Sequence, residues 1–344
     1  MTDIRFIRVE GSHREAGRQI GAACREQLAA SLQGELPPGV GWDDMRRAAG
    51  PYLAATRASL PWVVEEVEGA AEGAGLDPLD VFASGVEEIF RHPPPPGGKC
   101  SDFAAGPPAT FDGGIWLGHN NDLSPDAAAM QAAVEWNVPG QPRIFTVGVG
   151  GLFISAGYNA AGLSLTGNEV HPNDDRIGVP RLYIVRDILA QRTPEAAIAA
   201  ALNPARASSY NNLIAHVDGT IVNVEGSATD YELIRPRPEE GWTIHTNHYV
   251  SPRMLRYEAN PNPAHSRRRY ERAAELMASR PGPVTPAMLR SFLGDHEGSP
   301  DCICRHDGGT QTVFWCVIDL SHGGIEYGRD NPCRAGGEQH FAFN

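Results

Sequence analysis

A run of prolines divides this chain into two parts of different character. Residues 93–96 are all proline, and Gly97 and Gly98 follow them directly before Lys99 and Cys100. Proline cannot continue a helix, and glycine leaves the backbone free to bend, so no regular element is expected to cross this segment. The residues before it mostly follow helical spacing, whereas those after it form short segments rich in β-branched and aromatic residues. The sequence therefore predicts a helical N-terminal part and a β-rich body that begins near Cys100.

The elements of the body are predicted from hydrophobic periodicity and turn residues. Strands are predicted at residues 114–118, 134–138, 144–148, 152–155, 162–166, 213–217, 220–224 and 310–320. Helices are predicted at residues 181–191, 194–201, 268–279 and 286–292. Antiparallel strands with helices in separate blocks indicate an α+β protein in which two packed sheets carry helices on their outer faces.

Cys100 lies at the boundary between the two parts, which suggests a precursor that cleaves itself. Cleavage between Lys99 and Cys100 would create an N-terminal cysteine, whose thiol is a nucleophile and whose α-amine is a nearby base. A thiol titrates near pH ~8.5 and an α-amine near ~7.7–8.0, so the amine can accept the thiol proton without a histidine.

Composition restricts the partners and the compartment. The 344 residues carry a net charge of -13, which argues against a nucleic acid or an anionic membrane as partner. Six cysteines are too few for a disulfide scaffold of this length. The first residues lack the apolar core of a signal peptide, and no uncharged apolar run approaches a membrane span, so a cytoplasmic protein is expected.

Several short motifs occur in an order and spacing that resemble one family. In chain order they are Val9-Glu10-Gly11-Ser12-His13-Arg14-Glu15-Ala16-Gly17, Gly98-Lys99-Cys100-Ser101, Gly118-His119-Asn120-Asn121-Asp122, His245-Thr246-Asn247-His248, Ser266-Arg267-Arg268-Arg269, Asp295-His296, Ile303-Cys304-Arg305-His306 and Gly328-Arg329-Asp330-Asn331-Pro332-Cys333. Together they resemble the acyl-coenzyme A:6-aminopenicillanic acid acyltransferase family of N-terminal-nucleophile (Ntn) cysteine hydrolases.

The resemblance implies a four-layer αββα fold and a single domain over residues 1–344. It further implies self-cleavage into a helical chain (1–99) and a β-rich chain (100–344) that stay together as a heterodimer. The implied activity is hydrolysis of an amide, or acyl transfer from an amide or thioester, through an S-acyl intermediate on Cys100. No cofactor or metal is implied, although coenzyme A would be the leaving group of a thioester donor. The resemblance identifies neither the small-molecule or peptide substrate nor any homo-oligomer.

The resemblance also assigns roles to residues around Cys100. Asp122 would orient the freed amine or the nucleophile's backbone. Asn247 would donate a hydrogen bond to the oxyanion of the tetrahedral intermediate. Arg269 would place a fixed positive charge near the thiol and lower its pKa. The neighbouring arginines that compete with it for this role are Arg267, Arg268 and Arg272.

Three further residues are candidates for substrate binding. Asn168 and Asn212 fall where the family carries polar residues near the cleft, and Tyr158 is a candidate for the lining of an acyl pocket. Turn, strand-end or core-packing roles remain open for all three.

Three alternative readings of the sequence remain. A Cys–His peptidase without self-cleavage would pair Cys100 with one of four candidate histidines, His92, His119, His245 and His248. A zinc site could be formed by His296, Cys302, Cys304 and His306, although the Cys-x-Cys spacing is not the usual pair. A non-catalytic ligand-binding protein on the same fold is the third, and no dinucleotide or phosphate-loop motif is present.

Overall fold

The structure is a computed structural model that describes residues 3–32, 36, 39–89, 100–260, 263–306, 309–334 and 336–343. Its helices are α1 (His13–Ala23), α2 (Arg25–Ser31), α3 (Trp42–Ser59), α4 (Pro61–Ala74), α5 (Pro78–Ser84), α6 (Ala127–Met130), α7 (Arg181–Ala190), α8 (Pro194–Ala201), α9 (Ala264–Ala278) and α10 (Pro286–Leu293). Its strands are β1 (Arg5–Glu10), β2 (Cys100–Ala105), β3 (Trp116–Leu123), β4 (Gln131–Asn137), β5 (Ile144–Val149), β6 (Phe153–Asn159), β7 (Leu163–Asn168), β8 (Asn211–His216), β9 (Ile221–Gly226), β10 (Tyr231–Ile234), β11 (Trp242–His245), β12 (Gln311–Asp319), β13 (Gly324–Arg329) and β14 (Gln339–Ala342).

Local capping chemistry sets where several helices begin. Ser12 and Glu15 form a reciprocal capping box at the start of α1. The Asp77 carboxylate accepts from the first backbone N–H groups of α5. Thr193 and Thr285 cap α8 and α10 in the same way, and a proline follows each threonine at the first helical position. Side-chain caps thus replace the backbone partners that the first turn of a helix lacks.

The strands form two sheets. The larger sheet has the order β1-β4-β5-β6-β7-β8-β9-β10, and the smaller has the order β11-β2-β3-β12-β13-β14. Strand β1 pairs with β4 in parallel, while the other paired strands are antiparallel. The β2–β3 pairing places Cys100 opposite Asn121 and Asp102 opposite His119.

Three apolar clusters separate four layers. The cluster between the sheets includes Ala104, Leu117, Phe145, Val147, Leu213 and Cys316. Helices of the N-terminal part, with α7 and α8, cover the outer face of the larger sheet. Helices α9 and α10 cover the outer face of the smaller sheet through Ala273, Met277, Leu289 and Leu293. The predicted αββα arrangement is confirmed.

The described residues up to position 89 pack against the body rather than lying apart from it. Strand β1 is an edge strand of the larger sheet, and the buried Arg186 guanidinium of α7 lies 2.7 Å from the Glu66 carboxylate of α4. A cut between Lys99 and Cys100 would break none of these contacts. Lys99 itself lies outside the described residues. In the described part of the chain, no helix is long and apolar enough to cross a membrane.

Helices α1 and α4 approach each other closely through glycines on both of them. A Cβ atom on Gly21 would lie 1.9 Å from the Ala70 carbonyl oxygen, and one on Gly69 would lie 2.1 Å from the Arg14 carbonyl oxygen. Both positions face rigid backbone, so a methyl group can be accepted only if the helices move apart.

We therefore expect Gly21→Ala to lower the free energy of unfolding by about 3 kcal/mol, because it overpacks this contact. Gly50→Ala in α3 is the matched control, since no atom lies within 4 Å of its Cβ position. There the gain in helix propensity is expected to stabilise by about 0.5–1 kcal/mol. Urea unfolding of the three proteins measures both changes, and equal effects of the two substitutions would contradict the packing argument.

Candidate active site

Cys100 is the first residue of β2, and its side chain faces the space between the sheets. The residue is 7% exposed, and its Sγ lies 3.7 Å from the Asn121 side-chain oxygen. Burial raises the pKa of the Cys100 thiol, and the nearby carboxylates of Asp102 and Asp122 raise it further. In the intact chain the thiol is therefore neutral at physiological pH and needs a base before it can attack.

The backbone of Cys100 is held on both sides. Its N–H donates to the Asn247 side-chain oxygen at 3.0 Å, and its carbonyl accepts from Arg269 at 2.5 Å. Arg269 also donates to the Asn247 side-chain oxygen at 2.7 Å and to the Ser101 hydroxyl at 3.0 Å. Two donors on the same atom require that this atom of Asn247 is its oxygen. The first residue of the β-rich body is thus fixed by a buried network.

Asn247 lies just after β11 and is positioned by α9. Its backbone N–H donates to the Ser266 hydroxyl at 2.7 Å, and its side-chain nitrogen donates to the Glu169 carbonyl at 3.0 Å. Ser266 and Arg269 are three residues apart on α9, so both side chains lie on the same helix face. This face brings the helix against the start of β2.

Of the four candidate arginines, Arg269 reaches Cys100. It is 0% exposed, whereas Arg267 and Arg268 are exposed. Arg268 pairs with Asp301, and Arg272 pairs with Asp295 at 2.8 Å. Helix α9 begins at Ala264, four residues before the predicted start, and this extra turn carries Ser266.

Asp122 lies on the opposite face of β3 from the Cys100 thiol. One of its oxygens accepts from the Thr312 hydroxyl at 2.7 Å, and the other has no hydrogen-bond partner among the described residues. Burial raises the pKa of Asp122 to about 6, against the opposing effect of the Arg269 charge. Within the described residues no hydrogen bond joins it to Cys100, so its predicted role at the freed amine stays a prediction.

A pocket of about 140 Å³ opens beside the Cys100 thiol. Its polar lining residues include Cys100, His119, Asn121 and Asn212. The rest is mainly apolar and is lined by Leu123, Val149, Phe153, Ile154, Leu165, Leu182 and Val185. The structure therefore places Asn212 in the pocket wall, and its role in substrate binding stays a prediction.

Tyr158 and Asn168 are not among the residues that line this pocket, and their predicted role in substrate binding stays a prediction. The Tyr158 ring is packed between the sheets, and its hydroxyl donates to the Gly323 carbonyl at 2.8 Å. The Asn168 side-chain oxygen accepts from Asn211 at 3.2 Å in a buried network. Both side chains are thus held by buried contacts that do not include Cys100.

A buried histidine–aspartate pair adjoins the nucleophile. His119 Nδ1 lies 2.7 Å from an Asp102 oxygen, and both side chains are at most 1% exposed. His119 Nε2 has no hydrogen-bond partner among the described residues, and the residue lines the pocket with Cys100. The sequence offered His119 only as one of four histidines, because the partner becomes visible only in the β2–β3 register.

An unpredicted arginine connects the N-terminal part to the same pocket. The Arg181 guanidinium is buried 2.6 Å from Glu87 and 2.5 Å from Glu169, and it lies 4.0 Å from the centre of the Tyr210 ring. Glu87 belongs to the N-terminal part, yet Glu87, Glu169 and Tyr210 all line the pocket. Both predicted chains therefore contribute to the pocket wall.

Comparisons with known structures give low identities. One variant of conjugated bile acid hydrolase from Clostridium perfringens is 12% identical with a TM-score of 0.47, and the match covers 71% of this chain and 97% of that one. A second variant gives 12% identity, the same coverages and a TM-score of 0.41. Penicillin V acylase from Agrobacterium tumefaciens is 14% identical with a TM-score of 0.47, covering 67% of this chain and 83% of that one. No curated protein matches the sequence.

The family comparison covers most of the β-rich body. The model described as acyl-coenzyme A:6-aminopenicillanic acid acyl-transferase matches residues 110–333, which is more than half of the chain. The matched range includes Asp122, Asn247 and Arg269, and Cys100 lies ten residues before its start. The chain belongs to the acyl-coenzyme A:6-aminopenicillanic acid acyl-transferase family.

Proposed function

We propose that this protein is a self-activated Ntn cysteine amidohydrolase or acyltransferase that forms an S-acyl intermediate on Cys100. The observation that carries the proposal is the position of Cys100: its thiol faces the pocket, while Asn247 and Arg269 hold its backbone nitrogen and carbonyl. A cut at the preceding peptide bond would leave the new amine within hydrogen-bond distance of Asn247. The thiol and its base would then belong to one residue in a fixed geometry.

Self-cleavage would begin with attack of the Cys100 sulfur on the Lys99 carbonyl carbon. A C–S bond forms, the C–N peptide bond breaks, and the nitrogen takes up the thiol proton and leaves as the α-amine. Water then hydrolyses the thioester, which restores the thiol and leaves a carboxylate on Lys99. No other reactant is consumed.

Turnover would repeat this chemistry on a substrate amide or thioester. The α-amine accepts the thiol proton, the sulfur attacks the acyl carbon, and the leaving amine or thiol departs with a proton. Water or an acceptor amine then releases the acyl group. Asn247 would stabilise the oxyanion through its side-chain nitrogen; one of the two hydrogens on this nitrogen is used in the bond to Glu169.

The pocket favours a small apolar acyl group. Its volume of about 140 Å³ is close to that of a ~150 Å³ protein cavity that binds benzene. Apolar side chains of β5, β6 and α7 would enclose the acyl chain, while the polar side chains beside Cys100 would contact the scissile bond. We propose no cofactor, with coenzyme A only as the leaving group of a thioester donor, and a cytoplasmic α/β heterodimer as the active form.

Acid quenching during turnover tests the intermediate. A series of amides with acyl groups of increasing length is supplied, and the mass of the β-rich chain is measured. We expect the chain to gain the mass of the acyl group, and peptide mapping should place it on Cys100. A gain on another residue, or none with a substrate that is turned over, would reject the S-acyl mechanism.

The pair formed by His119 and Asp102 supports a second candidate, the Cys–His peptidase. Asp102 holds His119 Nδ1, which leaves Nε2 as the basic nitrogen facing the pocket. Diagonal neighbours on paired strands have Cα atoms about 7–8 Å apart, so the ring can act on Cys100 directly or through one water. Before cleavage the Cys100 nitrogen belongs to a peptide bond and cannot act as a base. His119 would therefore be the base that accepts the thiol proton during self-cleavage.

We expect His119→Gln to slow self-cleavage by roughly 10²–10⁴-fold, which is the usual contribution of a general base. The turnover of each molecule that has been cleaved should be nearly unchanged, because its α-amine is already free. Cleavage is followed by denaturing electrophoresis and turnover by amide hydrolysis. His322→Gln, at an exposed histidine, is the control. Wild-type protein that stays uncleaved but turns over the amide, with turnover abolished in His119→Gln, would favour the Cys–His peptidase.

A further inference from the structure

Four metal-ligating side chains converge at a site outside the pocket. His296, Cys304, His306 and Cys333 each offer one ligand atom, and all four atoms lie within 4.8 Å of one another. They come from three separate segments: the end of α10, the loop before β12 and the turn after β13. The sequence suggested a different set, with Cys302 in place of Cys333. The Cys302 thiol instead donates to the Cys304 carbonyl at 3.0 Å.

The spacing of these atoms fits one tetrahedral ion. Zinc bonds of ~2.3 Å to sulfur and ~2.0–2.1 Å to nitrogen give ligand–ligand separations of roughly 3.8 Å for S–S, 3.5 Å for S–N and 3.3 Å for N–N. The Cys304 and Cys333 sulfurs are 3.6 Å apart, and His306 Nε2 lies 3.6 and 3.3 Å from them. The His296 and His306 Nε2 atoms are 2.8 Å apart, closer than the separation around a bound ion, so His296 would have to move slightly outward to bind the metal.

The types of ligand atom also indicate which metal ion would bind. Two thiolates and two imidazoles in a tetrahedral arrangement are the ligands of structural zinc. A two-iron cluster with the same ligands would hold its cysteines and histidines on different irons. Here the His306 nitrogen lies as close to both sulfurs as the sulfurs lie to each other, which favours a single ion. Asn331 donates to the Cys304 sulfur at 3.6 Å, as an outer partner that orients a ligating sulfur does.

We propose that these four residues bind one structural Zn²⁺ ion that fastens the C-terminal turn to the end of α10. Four protein ligands leave no open position, so the ion has no direct part in acyl chemistry. The ion would instead stabilise the loop before β12, and this loop is connected to Asp122 by hydrogen bonds. The Arg305 backbone N–H donates to the Thr312 hydroxyl at 3.0 Å, and that hydroxyl donates to Asp122 at 2.7 Å.

The first test is the metal content of the purified, reduced protein. We expect about one zinc per chain in the wild type and less than a tenth of this in Cys304→Ser and Cys333→Ser. Cys302→Ser is the matched control and should keep its zinc, because its sulfur bonds elsewhere. Zinc retained at full amount in Cys333→Ser, or lost equally in Cys302→Ser, would overturn the ligand set.

A second measurement does not depend on whether the variants fold. Wild-type protein is stripped with a chelator and titrated with Co²⁺ alone. One equivalent should give the visible absorption of tetrahedral cobalt with sulfur-to-metal charge transfer, and Zn²⁺ should abolish it. Stripped protein should also melt at a lower temperature than zinc-loaded protein. Failure to bind either metal, or a Cys304–Cys333 disulfide in the native protein, would overturn the proposal.

Discussion

Cys100→Ala is expected to abolish both self-cleavage and turnover. The thiol is the nucleophile of both reactions, and removal of a catalytic nucleophile typically lowers kcat by roughly six orders of magnitude. The fold should survive, because the residue lies at the start of a strand and its backbone bonds to Asn247 and Arg269 do not involve the side chain. Intact mass under denaturing conditions should show two chains meeting at Lys99 and Cys100 in the wild type, and one full-length chain in the variant.

Two further substitutions test whether the effect is specific to the Cys100 thiol or would follow from changing any buried cysteine. Cys316→Ala removes a fully buried cysteine from β12, opposite His119, and should leave cleavage intact. Cys100→Ser should cleave slowly, because a hydroxyl can attack the same carbonyl, but should lose most turnover. A full-length wild-type protein with undiminished amidase activity would contradict the α-amine as base, and an active Cys100→Ala would reject Cys100 altogether.

Much of the fold could be predicted from local patterns. Helices α7, α8 and α10 begin at the predicted residues and end within one residue of the predicted ends, because periodicity and start signals agree there. The strands β10 and β14 were not predicted, since each has only four residues and is half exposed. The parallel pairing of β1 with β4 joins residues more than a hundred positions apart, which local periodicity does not report.

Residues of the active site and of the proposed zinc site could be predicted from the sequence only where they lie in a recognisable motif. The motif at residues 266–269 indicates an arginine, and helix geometry restricts the choice, but only burial in the structure distinguishes Arg269 from Arg267 and Arg268. The bond between His119 and Asp102 depends on hairpin register. Cys333 and Cys304 lie side by side in the proposed zinc site although they are 29 residues apart in the sequence. That spacing matches no familiar zinc motif. For Tyr158 the sequence leaves core packing and pocket lining open, because an aromatic residue in a strand can serve either role, and the structure packs its ring between the sheets.

Arg269→Met is expected to lower cleavage and turnover by roughly 100-fold, because it releases the groups that position Cys100. The Cys100 carbonyl and the Asn247 side chain each lose a charged donor. The Arg269 charge also lowers the pKa of the Cys100 thiol, so its removal raises that pKa and moves the reaction toward alkaline pH. Arg268→Met is the matched control on the same helix, since Arg268 is exposed and pairs with Asp301.

The pH dependence distinguishes positioning from a loss of folding. Alkylation of Cys100 reports its thiolate, so in Arg269→Met the rate should fall at neutral pH and recover at higher pH, with about a tenfold change for each pKa unit. Asp122 should respond in the same direction: it loses a cation that lowers its pKa, so its carboxyl should keep its proton to higher pH. Arg269→Lys keeps the charge without the forked donors, and it should restore the alkylation profile more fully than it restores turnover. A variant that is folded but alkylates with the wild-type pH profile would show that Arg269 does not act on the thiol, and its place beside Cys100 would then be structural.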